Sequence, residues 1–189
     1  MRRGHLIVIA GPSGVGKGSL VARLLARDPE RLVRSVSATT RPPRVLEVDG
    51  VDYHFVDEAG FDRLVADDAL LEWAEVFHGR RYGTPRASAD DHLEAGRDVV
   101  LEIDVQGAAQ VKQRAPEALL VLLAPPSLED LEARLRGRGT EDDASIAERL
   151  EAAERELQQA SWFDHVVVND ELERATDEVA AIIERFRTL

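Results

Sequence analysis

Gly11-Pro12-Ser13-Gly14-Val15-Gly16-Lys17-Gly18-Ser19 stands between an apolar run, Leu6 to Ala10, and a helical pattern over Lys17 to Arg27. In that pattern Leu20, Val21, Leu24 and Leu25 share one face. Glycines let the backbone turn tightly and aim successive N–H groups inward. The first turn of the helix adds partial positive charge at the same point, and Lys17 adds a full charge. Strand, glycine-rich turn, lysine and helix in this order predict a phosphate-binding loop. Gly11 to Ser19 are its candidate contacts to ATP, with Lys17 directed to the β and γ phosphates. The general pattern has Ser or Thr directly after the lysine. Here Gly18 takes that place and Ser19 follows, so the Ser19 hydroxyl reaches Mg²⁺ either directly or through water.

The rest of the chain repeats the strand-then-helix rhythm. Strand-like runs are expected at Arg31 to Ser37, Asp98 to Asp104, Ala118 to Ala124 and His165 to Val168. Helical patterns fall at Arg86 to Ala95, Ala108 to Arg114, Leu128 to Arg136, Asp143 to Gln159 and Leu172 to Phe186. Continuous apolar strands separated by helices predict an α/β fold with a five-stranded parallel sheet covered on both faces. Two segments break the rhythm. Residues 38 to 85 are rich in Pro, Gly, Tyr, Phe and His, and predict a small β-containing insert with a strand near Tyr53 to Val56. Arg134 to Arg149 is dense in charge around Gly137 and Gly139 and predicts a lid. The expected division is a core from 1–36, 86–126 and 160–189, an insert at 37–85, and a lid region at 127–159.

Composition narrows the function. The chain of 189 residues suits one core with small inserts. It contains no cysteine, which excludes disulfides and thiolate chemistry and fits a reducing cytoplasm. Apolar runs such as Ala118 to Pro126 fall short of a membrane span. The short N-terminal stretch before the first strand leaves no room for a signal peptide. A net charge of −12 does not favour nucleic acid or an anionic membrane as partner. A polyanionic ligand on such a chain requires its arginines to be gathered at one cleft.

Further along, Ser35-Val36-Ser37-Ala38-Thr39-Thr40-Arg41-Pro42-Pro43-Arg44 precedes Glu47-Val48-Asp49-Gly50-Val51-Asp52-Tyr53-His54-Phe55. Leu71-Glu72-Trp73-Ala74, Tyr82-Gly83-Thr84, Leu101 to Gly107, Pro125-Pro126-Ser127, Gly137 to Glu141 and Val167-Val168-Asn169-Asp170 follow in order. With these motifs the chain resembles the guanylate kinase family over nearly its whole length. Gly-Lys-Gly-Ser is also similar to the loops of adenylate kinases and of some guanylate kinases. The resemblance implies a P-loop NTPase fold with a GMP-binding insert and a helical lid. It implies ATP-dependent phosphorylation of GMP, and of dGMP with it.

The resemblance implies that Arg41, Arg44, Tyr53 and Tyr82 hold the GMP phosphate, and guanidinium groups suit phosphate through paired, charge-assisted bonds. Taken alone, Arg41 and Arg44 read as surface charges. Glu72 and Thr84 resemble base readers: a carboxylate accepts from guanine N1–H and N2–H₂, and a hydroxyl donates to O6. Ser37 assists. Asp104 is either a GMP contact or a group on the Mg²⁺ side, and Glu102 shares its strand face. Arg134, Arg138 and Arg149 match lid arginines that neutralise charge during transfer. Asn169 is an expected adenine contact. Two other readings stand beside this one: a kinase for another phosphorylated acceptor, such as a ribose bisphosphate, and a protein-binding domain of guanylate-kinase type. The oligomeric state, monomer or homo-oligomer, is left open.

Overall fold

The computed structural model describes residues 3–76, 79–137 and 142–188. The chain runs β1 (Leu6–Ala10), α1 (Lys17–Arg27), β2 (Leu32–Arg34), β3 (Ala38–Thr39), β4 (His54–Phe55), α2 (Glu58–Ala66), β5 (Leu70–Val76) and β6 (Arg80–Pro85). It continues with α3 (Arg86–Glu94), β7 (Asp98–Ile103), α4 (Val105–Arg114), β8 (Leu119–Ala124), α5 (Leu128–Gly137), α6 (Asp143–Leu157), β9 (His165–Val168) and α7 (Leu172–Arg187). A 3-10 turn at Ala160–Trp162 precedes β9.

All five residues of β1 are buried, because side chains alternate between two covered faces. Leu6, Val8 and Ala10 pack with Leu93, Ala108 and Val111 from α3 and α4. Ile7 and Ile9 pack with Leu20, Leu24, Val179 and Ile183 from α1 and α7. The strands lie in the order β2-β7-β1-β8-β9, and every pair is parallel. This is the five-stranded sheet that the apolar runs predict.

A second sheet, in the order β4-β3-β6-β5, draws all its strands from residues 38 to 85. Only β3 and β4 pair in parallel; β6 runs antiparallel to both β3 and β5. Its small core is Ala38, Phe61 and Leu70. Two features here differ from the sequence reading. The expected strand at Arg31 to Ser37 is only Leu32–Arg34, since the chain leaves the first sheet at Ser35 to enter the second. The insert also carries α2, whose N-cap Asp57 accepts from the Gly60 N–H at 2.7 Å. The lid region contains α5 and α6, which share a core of Leu131, Leu135, Ile146 and Ala153.

α7 is pinned to the end of the sheet away from the phosphate loop. Arg187 is 5% exposed and donates from Nε to Asp98 Oδ2 at 2.6 Å. It also donates to Asp28 Oδ2 at 2.9 Å, and Asp98 Oδ1 accepts the His5 N–H at 2.7 Å. One guanidinium thus ties α7 to the end of α1 and the start of β7. Arg187→Leu leaves Asp98 as a buried charge short of its cation. It should lower the unfolding free energy by about 3 kcal/mol, measured by urea denaturation. A loss below about 1 kcal/mol would contradict this assignment.

Candidate active site

The phosphate loop is held open by backbone geometry. Gly16 caps α1 in the left-handed region, at φ 102°. A Cβ on Gly16 would lie 2.5 Å from Asn169 Nδ2, so glycine meets both a conformational and a steric need. The close approach has a use. Asn169 Nδ2 donates to Val15 O at 2.8 Å, while Arg134 donates from Nη1 to Val15 O at 3.3 Å and from Nη2 to Asn169 O at 2.8 Å. The end of β9 and the last turn of α5 therefore brace the loop from behind. Lys17 Nζ donates to Gly11 O at 2.6 Å and Pro12 O at 3.0 Å. Arg149, from α6, donates to Ser13 Oγ. Ser19 is exposed on the first turn of α1.

The two strand-end carboxylates, equivalent in sequence, separate in space. Asp104 caps α4, with Oδ1 accepting the Gly107 N–H at 2.7 Å. Glu102 turns toward α1, and a Cβ on Gly18 would lie 3.3 Å from its Oε1. The missing side chain at position 18 is the room Glu102 occupies.

In the insert, Arg41 is gripped by a residue whose part was not read from the sequence. Glu47 accepts from Arg41 Nη1 at 2.9 Å and Nη2 at 2.8 Å, and from the Arg44 N–H at 2.7 Å. The Arg41 side chain, together with that backbone bond, holds the Glu47 carboxyl down to about 2. Arg41 Nε donates to Tyr82 Oη at 3.1 Å, and its guanidinium lies 5.3 Å from the Tyr53 ring centroid. The clamp is thus oriented before any anion arrives. The sequence signal for Glu47 was its place three residues after Arg44.

Glu72 and Thr84 face each other across β5 and β6. Thr84 Oγ1 donates to Glu72 Oε1 at 2.6 Å. Glu72 is 4% exposed and Thr84 fully buried. Burial pushes the Glu72 carboxyl up to about 7, and the Thr84 bond offsets only part of that.

A cavity of about 300 Å³ is lined by Ser37, Tyr53, Glu72 and Glu102. A second, of about 630 Å³, is lined by Gly11, Ser13, Arg41, Arg44 and Arg149. Lys17, Tyr82 and Asp104 line both. Most of the expected site residues therefore meet on one continuous surface, with the lysine at the junction. Arg138 lies outside the described residues. Four further charged side chains line these cavities unforeseen, Arg80 in the second among them. Arg34 and Asp52 border the first. Glu156 borders the second; its Oε2 is buried without a hydrogen-bond partner among the described residues, and burial pushes its carboxyl up to about 7 against the pull of Lys17. In sequence nothing separates Glu156 from the other glutamates of α6.

A family model described as guanylate kinase matches residues 3–186. A guanylate kinase of Thermus thermophilus is 54% identical over 181 residues, covering 96% of this chain and 81% of that protein. One from Thermobifida fusca is 54% identical over 179 residues, covering 95% of this chain and 90% of its own. The crystal structure of guanylate kinase from Anaplasma phagocytophilum superposes with a TM-score of 0.78 at 33% identity, over 97% of this chain and 86% of that one.

The raised carboxyl of Glu72 has a stability consequence with a definite sign. Between its ordinary value of 4.5 and about 7, the folded chain keeps a proton there that the unfolded chain has released. This group therefore lowers stability progressively as pH rises through that window, by up to about 3 kcal/mol, and no further above it. Glu72→Gln removes the effect. Urea unfolding from pH 4.5 to 8 should show the variant gaining on wild type as pH rises, then levelling. A constant difference between the two would rule out a buried, titrating Glu72.

Proposed function

The chain belongs to the guanylate kinase family, whose reaction is the ATP-dependent phosphorylation of GMP to GDP, and we propose the following roles for its residues in that reaction. The observation that carries the reading is the junction: Lys17, Tyr82 and Asp104 line both the carboxylate-bearing cavity and the phosphate-loop cavity. An acceptor seated in the first would present its phosphate to the second.

GMP enters with its base toward Glu72. Guanine N1–H and N2–H₂ donate to the carboxylate. Thr84 orients that carboxylate through its hydroxyl, and a bond from Thr84 to O6 requires the hydroxyl to turn over. Ser37 lies on the same wall. Arg41, Arg44, Tyr53 and Tyr82 hold the GMP phosphate; because Arg41 donates to Glu47, Tyr82 and Pro42 O, the phosphate takes its remaining Nη2–H or displaces Glu47 from the fork. Neither the base contacts nor the phosphate clamp reads the ribose 2′ position, which supports use of dGMP.

ATP lies along Gly11 to Ser19, its phosphates on the loop N–H groups and on Lys17. Asn169 and Arg134 support that loop from behind, and an adenine contact by Asn169 would use its Oδ1. A GMP phosphate oxygen attacks the γ phosphorus in line, the bond to the β,γ-bridging oxygen breaks, and ADP leaves. Lys17, Arg41, Arg134 and Arg149, together with Arg138 from outside the described residues, are the proposed groups that offset the charge shared by the three phosphates. Among the described residues no three Asp, Glu, His or Cys side chains group as a metal cage. This fits Mg²⁺, which keeps waters and binds through one or two side chains plus substrate phosphates. Ser19 and one oxygen of Asp104 are the residues that would hold it, directly or through water, and it supplies neutralisation of the β and γ phosphates. Closure of the 37–85 and 127–159 segments over the 1–36, 86–126 and 160–189 core would exclude water as a competing acceptor.

No helix among the described residues is long and apolar enough to cross a membrane. With no cysteine in the chain, the proposed setting is the cytoplasm and the proposed partners are the two nucleotides.

Two variants test the roles. Lys17→Ala removes charge at the transferring group from a loop outside the core. Turnover should fall on the order of 10²-fold or more, while unfolding changes by less than about 1 kcal/mol. Glu72→Gln replaces a double acceptor with an amide whose N–H₂ faces the donors of the base. It should lower kcat/KM for GMP by on the order of 10²-fold and leave KM for ATP unchanged. Coupled ADP-release assays read both. Wild-type turnover in Lys17→Ala would remove the loop as the ATP site, and wild-type GMP kinetics in Glu72→Gln would remove Glu72 as the base reader.

A further inference from the structure

Three residues on one face of α4 grip β5 at consecutive points. Gly107, Gln110 and Arg114 follow helical spacing and lie one above another. Gln110 Oε1 accepts the Trp73 N–H at 3.1 Å, and its Nε2 donates to Trp73 O at 2.7 Å. β5 is the edge strand of the four-stranded sheet, so this amide does for Trp73 what a neighbouring strand would do. Arg114 Nη1 donates to Leu70 O. A Cβ on Gly107 would lie 2.7 Å from Glu72 Oε2 and 3.3 Å from Asp104 Oδ1. Gly107 takes no unusual backbone angle, being absent from the glycines with positive φ. Its lack of a side chain serves the close approach of the Glu72 carboxylate first and, less tightly, that of Asp104 Oδ1.

These contacts run without a break from core to insert. β7 sits beside β1 in the parallel sheet, and Asp104 starts α4 directly after β7. α4 then fixes Leu70, Glu72 and Trp73 along β5. The Glu72 carboxylate accepts from Thr84 at 2.6 Å, and the first turn of α4 has room for it only because Gly107 carries no Cβ. A shift of β5 along α4, or added bulk at position 107, moves the carboxylate and strains the Thr84 bond.

We propose that the Gly107–Gln110–Arg114 face of α4 is the device that positions Glu72 and so sets discrimination between guanine and other bases. The inference rests on Glu72 as the guanine reader. Gly107 and Gln110 are positioning residues: they act through Glu72 and touch no substrate. A displacement of about 1 Å at a reacting or reading group is enough for losses up to 10²-fold.

The test is a set of three variants assayed for ADP release with GMP and with AMP, together with thermal unfolding. Alanine favours a helix over glycine, while its Cβ, 2.7 Å from Glu72 Oε2, displaces the carboxylate; the two effects oppose, so Gly107→Ala should stay folded and unfold near the wild-type temperature. It should nevertheless raise KM for GMP by about tenfold or more, lower the GMP-to-AMP preference by a similar factor, and leave KM for ATP unchanged. Gln110→Ala should raise KM for GMP in the same selective way. Glu72→Gln separates the two levels of the reading. If Glu72→Gln keeps full GMP preference, the base-reading role itself is wrong. If Glu72→Gln loses that preference while Gly107→Ala keeps wild-type KM for GMP, the positioning role of α4 is overturned. A Gly107→Ala variant that weakens GMP and ATP alike also overturns it, since that is the behaviour of a merely structural glycine. Because Gly107→Ala does not depend on the fate of Gln110→Ala, poor folding of the latter leaves the test intact.

Discussion

Keeping Glu72 out of water costs free energy, and its neighbours recover only part of it. One oxygen has the Thr84 hydroxyl at 2.6 Å, and the carboxyl is still pushed up to about 7. A ligand bringing two more N–H donors completes the shell, and one without them leaves a desolvated carboxylate unpaired. The second case is penalised more heavily than the first is rewarded, which is how a single side chain can reject a base of similar size. Several local features follow from keeping that carboxylate where it is. Thr84 sits opposite it on β6, position 107 carries no side chain, and Gln110 closes the free edge of β5 beside it.

The parallel sheet supplies the second half of the site. Because β1 and β7 are neighbours, the phosphate loop and Asp104 emerge side by side at the same end. The insert leaves the core after β2, on the far side of β7, and returns to it before α3. This brings Arg41 and Tyr82 over the loop. On a chain of net charge −12, Lys17, Arg41, Arg44, Arg80 and Arg149 share one cavity. Only two carboxylates, Asp104 and Glu156, line the same cavity, so its formal charge is opposite in sign to that of the whole chain.

The periodic elements were legible before the structure. The β1 and α1 boundaries and the parallel sheet followed from apolar runs and glycine placement, whereas Arg41, Tyr53, Tyr82 and Glu72 were singled out by the resemblance to the guanylate kinase family and, taken alone, read as surface or core side chains. What the sequence hid was pairing between distant parts. Leu70–Val76 and Arg80–Pro85 carry charged and aromatic residues without clean alternation, because their sheet is small and flanked unevenly; the hairpin they form went unread. Arg134 and Asn169 look like ligand contacts by residue type, yet both spend donors on the backbone of the phosphate loop, a use visible only when α5 and β9 meet that loop. Glu102 and Asp104 share a strand face, and only the start of α4 and the gap at Gly18 assign them different neighbours. Gln110 reads as one polar position on an amphipathic helix, and its bond to Trp73 spans 37 residues of sequence.

The central claim is that a buried carboxyl at position 72 is held in readiness for the donors of guanine. Carbon-13 NMR titration of side-chain carboxyls, with the Glu72 resonance assigned by its loss in Glu72→Gln, reads this directly. In the free chain the Glu72 resonance should titrate near 7. Saturating GMP should move that midpoint down by about one unit or more as its N–H groups stabilise the charged form, and AMP should not. A free-chain midpoint near 4.5, or a midpoint that GMP leaves in place, would contradict the account.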